Sequence, residues 1–347
     1  MGLLASTFLA IILSSLLSPS PFENFPIKST AMAVYTPVSE TQLAPLLDSL
    51  NLGQAKELTP IKGGIENTNY FLTTEKGQFV LTLFERLSFE QLPFYLNLMK
   101  HLALKGIKVP DPIVSPSGDI VFSLNEKPAA IVSRLKGKSE LNPGTMHCQM
   151  VGSMLARTHL AAQDFKYEQP NLRGLDWWTK TAPQVLPHLD SARQEFLISE
   201  LAFQHHAASL SAYKALPKGP VHADLFRDNV MFEQTELSGF FDFYFAGIDT
   251  WVYDLAVCLN DWCIDLQTGQ WNTELLHSFL SAYQKERPLE RCERQMLNPM
   301  LRAAAFRFWL SRLWDFYLPR KASLLQPHDP THFERILRER VLSHLSL

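Results

Sequence analysis

The feature that most constrains this chain is a change of hydrophobic period partway along it. Runs at 56–62, 68–74 (TNYFLTT) and 78–84 (QFVLTLF) read as strands, and the last two are joined by EKG, where Gly77 suits a tight antiparallel turn. Two more strand-like runs fall near 119–124 and 129–135. A helix from Ser88 to Gly106 interrupts the series, with Leu92, Leu96, Met99 and Leu102 along it. VPDP (109–112) is read as extended, because each proline disfavours helix before it. Ser39 and Gln42 form a capping box ahead of Leu43, Leu46, Leu47 and Leu50. After KGKSELNPG (136–144) the pattern becomes helical, over 145–163, 192–214, 253–265, 272–286, 290–316 and 331–345. Strands gathered first and helices second make an α+β chain, a small antiparallel β lobe with one inserted helix followed by a large mainly helical lobe. The expected bounds are 32–137 and 138–347.

Composition limits the partners. With 32 basic and 35 acidic residues the net charge is -3, which lacks the electrostatic footprint of a nucleic-acid binder. The four cysteines show no CxxC pair and no zinc-like spacing, which suits free thiols in a reducing cytosol. Residues 3–21 form an apolar run, yet no Lys or Arg precedes it and it is short and Ser-rich for a membrane span. Residues 1–31 are therefore expected to be a start-site extension outside the fold, with Met32 the true start and the protein cytoplasmic, without membrane or obligate protein partner. An exported or anchored protein is the rival reading.

The chemistry concentrates in GPVHADLFRDNVMF (219–232), where His222, Asp224 and Asn229 sit among apolar neighbours. Their spacing, H-x-D-x-x-x-x-N, is the catalytic-loop arrangement of protein-kinase-like phosphotransferases. An aspartate beside an acceptor hydroxyl can orient it and take its proton. An asparagine five residues on offers an amide oxygen to Mg²⁺, a hard cation. A loop whose polar side chains merely cap backbone would use the same residue types. Asp242 weighs against that alternative: it is expected in the apolar strand of SGFFDFYFAG (238–247), where a carboxylate is costly unless it pairs or binds a cation. Asp242-Phe243-Tyr244 stands where a kinase carries D-F-G. Asp254, at a helix start, is read as bracing the loop, with N-capping as the alternative. His222 is given a structural role. Gly63 and Gly64, before the first hairpin, allow backbone to approach a phosphate. Thr82 occupies the β-strand position where kinases place a phosphate-binding lysine, and the following helix offers no partner glutamate. Phosphate charge is then to be met by Mg²⁺, backbone N–H groups and Arg227.

With these residues in view, the chain resembles the aminoglycoside-phosphotransferase/choline-kinase superfamily, with its protein-kinase-like two-lobe fold. Within it the chain is most similar to the homoserine kinase family. GGIENTNYFL, FVLTLFE, GIKVPDPI, RGLDWW, VHADLFRDNVMF, GFFDFYFAG, YDLAVCLNDWC and RAAAFRFWLSRLWD carry the resemblance in order, from about residue 35 to the C-terminus. In that family threonine replaces the usual lysine, so Thr82 agrees. The resemblance implies ATP and Mg²⁺, a homoserine acceptor, Asp224 as base, Asn229 and Asp242 as metal ligands, and Arg227 as loop support. Nucleotide contacts are expected from Gly63, Gly64, Asn67, Thr82, Val132 and Arg134, with adenine at the backbone of VSRLKG (132–137). A zwitterionic acceptor needs a cation for its carboxylate and acids for its ammonium, and Arg307, Arg312, Asp261 and Trp262 are the candidates. The two arginines lie about 140° apart on a helix, so they need not share a face. A kinase for choline, ethanolamine or an amino sugar, and a nucleotide-binding pseudokinase scaffold, remain open.

Overall fold

A computed structural model describes residues 36–61, 67–319 and 328–346. Residues 1–35, Gly63 and Gly64 lie outside the described residues. Helix α1 (Glu40–Ser49) starts at the expected capping box: Gln42 N–H donates to Ser39 Oγ, and Ser39 N–H donates to Gln42 Oε1. Its Leu43 and Leu47 are fully buried against a five-stranded antiparallel sheet. Each such leucine contributes roughly 2 kcal/mol of burial. The strands are β1 (Ala55–Pro60), β2 (Asn67–Thr74), β3 (Gly77–Phe84), β4 (Phe122–Leu124) and β5 (Lys127–Ser133), in the order β1-β2-β3-β5-β4. Helix α2 (Leu92–Leu104) is inserted between β3 and β4 and starts later than Ser88, which leads a turn ahead of it.

Alternation along β3 divides the sheet's faces. Phe79, Leu81 and Leu83 join Tyr70 and Leu72 under α1, whereas Val80 and Phe84 pack towards the rest of the molecule. Thr82 shares the second face by the two-residue period of a strand. By the same alternation and the register of β2 against β3, so do Asn67 (opposite Phe84), Asn69 (opposite Thr82) and Phe71 (opposite Val80).

Beyond the sheet come α3 (Thr145–Ala161), α4 (Leu175–Val185), α5 (Ser191–Ser209) and the one-turn α6 (Ser211–Lys214). Four short strands follow: β6 (Lys218–Val221), β7 (Val230–Glu233), β8 (Glu236–Phe240) and β9 (Gly247–Thr250), paired β6-β9 and β7-β8. Then come α7 (Trp251–Trp262), α8 (Thr273–Glu286), α9 (Arg291–Tyr317) and α10 (Thr331–Leu342). Helix α4 and most of the two ribbons were not expected from the sequence, since four-residue strands are too short to show a period. Every residue of α7 is buried, which marks it as the central helix of this region. Gly152 lets α3 close on α8, because a Cβ there would stand 2.4 Å from the Phe279 carbonyl oxygen.

The sheet connects to the helices through 134–138. Gly137 has φ +86°, and a Cβ on it would lie 1.9 Å from Phe232 O. Only glycine fits such an approach. Lys138 and Phe232 then exchange backbone hydrogen bonds at 3.0 and 2.9 Å, pinning the connection to β7. Among the described residues, no helix is long and apolar enough to cross a membrane.

Candidate active site

The segment 222–229 leaves β6 and enters β7, and it is held at both ends by buried carboxylates. At the first end Asp254 accepts from the backbone N–H of His222 (2.9 Å) and of Ala223 (2.7 Å). Ala223 has φ +61°, a left-handed conformation that costs about 1 kcal/mol or more for a residue with a Cβ. The two hydrogen bonds offset that strain. Asp254 belongs to the first turn of α7 but does not cap it, because its oxygens serve the loop. Burial alone would raise its pKa; the His159 hydrogen bond and charge, with help from His222, outweigh that and hold the carboxyl below its ordinary range.

His159 of α3 is a residue that sequence reasoning missed. Its Nε2 lies 3.0 Å from Asp254 Oδ2 and its Nδ1 2.9 Å from the Tyr283 hydroxyl. Arg287 donates to that hydroxyl and, through two nitrogens at 3.0 Å each, to Glu293. A polar chain thus runs from the loop through α3 and α8 to α9. His222 donates Nε2–H to Phe241 O at 2.9 Å, and burial pushes its pKa down, so the ring is neutral and structural.

At the second end Arg227 is clamped. Asp261 Oδ2 accepts from its backbone N–H (2.8 Å) and its Nε (3.1 Å), Leu141 O accepts from Nη1 (2.9 Å), and Asp261 O accepts from Nη2. Three of the five guanidinium N–H groups are thus engaged in holding the loop, the contacts of a loop support. Asp261 is likewise beneath the loop and not before an acceptor, and burial pushes its pKa up despite Arg227. Trp262 is fully buried and donates Nε1–H to Leu225 O at 3.0 Å, so it supports the loop from the core instead of touching substrate. Trp177 and Trp178 pack against α9, on Trp314 and Phe306.

Between these anchors stand the groups expected to react. Asn229 Nδ2 donates to Asp224 O at 2.8 Å, which closes the loop on itself. Asp242 is not inside an apolar strand, for β8 ends at Phe240. It is exposed and left-handed, with φ 63° and ψ 59°. Its position is nonetheless tied to the loop, since Phe241 N–H donates to Asn229 O (3.1 Å) and Phe241 O accepts from His222. A carboxylate and an amide oxygen at one end of a rigid loop suit a hard cation.

Arg307 of α9 reaches the same place. It is 3% exposed, its Nη1 lies 3.4 Å from Asp224 Oδ1, and its guanidinium packs on Phe308 and Phe245. Arg307 Nε has no hydrogen-bond partner among the described residues. Arg312 donates to Asp329 O at 3.3 Å and lies over Phe333. Burial lowers its pKa to about 10, and its charge interacts with Asp224, Asp261 and Arg307. Arg307 meets Asp224 directly, whereas Arg312 is held against Asp329 and Phe333.

On the sheet, Thr82 Oγ1 donates to Asn69 Oδ1 at 2.7 Å across the β2–β3 pair. Val132 is buried at the end of β5, and Arg134 packs its guanidinium 3.8 Å above the Phe71 ring. Tyr244 meets Phe84 edge-on at 5.0 Å, joining the Asp242 segment to the sheet. Asn69 and Tyr244 were not among the expected site residues.

A two-lobed molecule with this loop, and a second aspartate tied to it, has the architecture of an ATP-dependent phosphotransferase. Comparison with known proteins agrees. The sequence profile of the phosphotransferase enzyme family matches residues 57–291, and the chain belongs to that family. The homoserine kinase of Polaromonas naphthalenivorans (strain CJ2) is 59% identical over 310 residues, covering 89% of this chain and 98% of that protein. The homoserine kinase of Janthinobacterium sp. (strain Marseille) is 54% identical over 310 residues, covering 89% and 96%. Among solved structures, amicoumacin kinase hAmiN in complex with AMP-PNP, Ca²⁺ and Ami superposes with a TM-score of 0.66 at 18% identity, over 88% of this chain and 92% of that one. Choline kinase from Cryptosporidium parvum Iowa II superposes with a TM-score of 0.59 at 16% identity, over 82% and 89%. The fold is the protein-kinase-like one of the aminoglycoside-phosphotransferase/choline-kinase superfamily, and the chain is an ATP-dependent kinase.

Proposed function

We propose that this kinase transfers the γ-phosphoryl group of ATP to the side-chain hydroxyl of L-homoserine, a step towards threonine, in the cytosol. The observation that carries the acceptor assignment is Arg307, a buried arginine beside Asp224 with an unpartnered Nε. An acceptor with a carboxylate gives that guanidinium a partner, and high identity to homoserine kinases supports the same choice. Choline would need an open aromatic cage. Phe245 and Phe308 already flank the arginine instead. The four free cysteines fit a reducing compartment.

In the reaction, Arg307 and Arg312 hold the homoserine carboxylate while Asp224 accepts a hydrogen bond from the hydroxyl. The hydroxyl oxygen forms a bond to the γ-phosphorus, the bond from that phosphorus to the bridging oxygen breaks, and ADP leaves. The hydroxyl proton passes to Asp224. Asn229 and Asp242 would hold Mg²⁺, which when bound with ATP neutralises charge on the phosphate oxygens. Asp254 and Asp261 fix the loop, so little reorganisation is needed at the moment of transfer.

The test is ADP release measured with homoserine, choline, ethanolamine, hydroxylysine and an aminoglycoside as acceptors. Turnover is expected with homoserine far above the others. Turnover with choline and none with homoserine would overturn the assignment, and tight ATP binding without any turnover would leave a scaffold.

A further inference from the structure

Kinases commonly meet ATP's phosphates with a lysine on the third strand, and this chain has Thr82 there. Arg227 is held beneath the catalytic loop by Asp261 and Leu141. What the sheet does place at that spot is an amide. Asn69 lies directly opposite Thr82 in the β2–β3 register, on the face turned away from α1, and is half-buried. The 2.7 Å bond from Thr82 Oγ1 occupies its Oδ1. An asparagine amide bound through its oxygen has two N–H donors left. Among the described residues, neither has an acceptor.

Tyr244, two residues past Asp242, packs edge-on against Phe84 and so joins the Asp242 segment to this part of the sheet. Thr82 donates to Asn69 Oδ1, so the amide is left with its N–H groups unoccupied on the face turned away from α1.

We propose that Asn69 replaces the strand lysine, donating from Nδ2 to the phosphates of ATP, with Thr82 as the positioning residue that sets its orientation. The inference rests on the nucleotide half of the proposed function and not on the acceptor.

The discriminating variant is Asn69→Asp. It keeps an oxygen for Thr82 but exchanges the N–H donors for a negative charge, so a merely structural role would survive it. Calorimetric titration with Mg·AMP-PNP, without acceptor, is expected to show Kd raised about tenfold to a hundredfold, the range for a lost hydrogen bond to a charged group. Thr82→Val should raise the KM for ATP about threefold to tenfold with the KM for homoserine unchanged. Asn69→Ala serves if the aspartate variant does not fold, and is expected to weaken Kd about tenfold. A Kd within about twofold of the parent for the folded Asn69 variant overturns the proposal. Because no acceptor is present, failure of the homoserine assignment would leave this result untouched, and the reverse also holds.

Discussion

The catalytic-loop segment and the sheet face opposite it solve the same problem with different chemistry. Around 222–229, ionised groups fix backbone: Asp254 takes two N–H groups, Asp261 takes Arg227, and the chain His159–Tyr283–Arg287–Glu293 steadies Asp254 from behind. On the sheet, Asn69 and Thr82 are neutral, and orientation comes from hydrogen-bond direction alone. Buried charges that are paired are costly to break, whereas a neutral relay can be cut with smaller loss. Breaking an ionised contact on the helical side should therefore cost more than breaking the neutral pair on the sheet.

Four changes press on that contrast. Asp224→Asn should have the largest effect, lowering kcat about a hundredfold to ten-thousandfold while Mg·ATP affinity stays as it was; an unimpaired kcat would remove Asp224 as the base. Next, Asp254→Ala strands the His222 and Ala223 N–H groups and leaves His159 Nε2 without its partner. Urea unfolding should show a loss of about 3–5 kcal/mol, and kcat should fall with it. Arg227→Lys comes third: it keeps the charge but loses the fork on Asp261 and Leu141, for a loss of about 1–3 kcal/mol in the same assay with ATP affinity unaltered. A large drop in ATP affinity would mean that Arg227 meets phosphate after all.

The smallest effect is a pH dependence on the acceptor side. His332 has its pKa lowered to about 4, by burial first and then by Arg312 and Arg335. The folded state therefore holds fewer protons than the unfolded chain between pH 6.5 and about 4. Its contribution is complete above pH 6.5 and is lost as pH falls towards 4, and buried His222 acts in the same direction. Melting temperatures across that window should decline, and His332→Gln should flatten the decline.

The contrast also explains what could be read from the chain beforehand. Asp224, Asn229, Asp242 and Asp254 stood out as candidates because polar groups among apolar sequence neighbours have few other reasons to be there. The strand-then-helix order of the fold was legible because the longer strands, such as β2, and the long helices show their period. Asn69 gave no such signal, since TNYFLTT reads as any amphipathic strand until the register sets it opposite Thr82. His159 lies 95 residues from Asp254 and only the packing of α3 on α7 brings them together. Asp261 and Trp262 were misread for a related reason. The helix that carries them is buried on all sides, and a sequence does not say which face meets a ligand.

A hydroxyl positioned at Asp224 should receive the phosphoryl group while arginine holds the acceptor's carboxylate. Phosphorus NMR of the product formed from ATP and L-homoserine tests it directly. A phosphate ester whose phosphorus couples to the γ-methylene protons of homoserine is the predicted result. An acyl phosphate on the carboxylate, or ATP consumed only to inorganic phosphate, would contradict it.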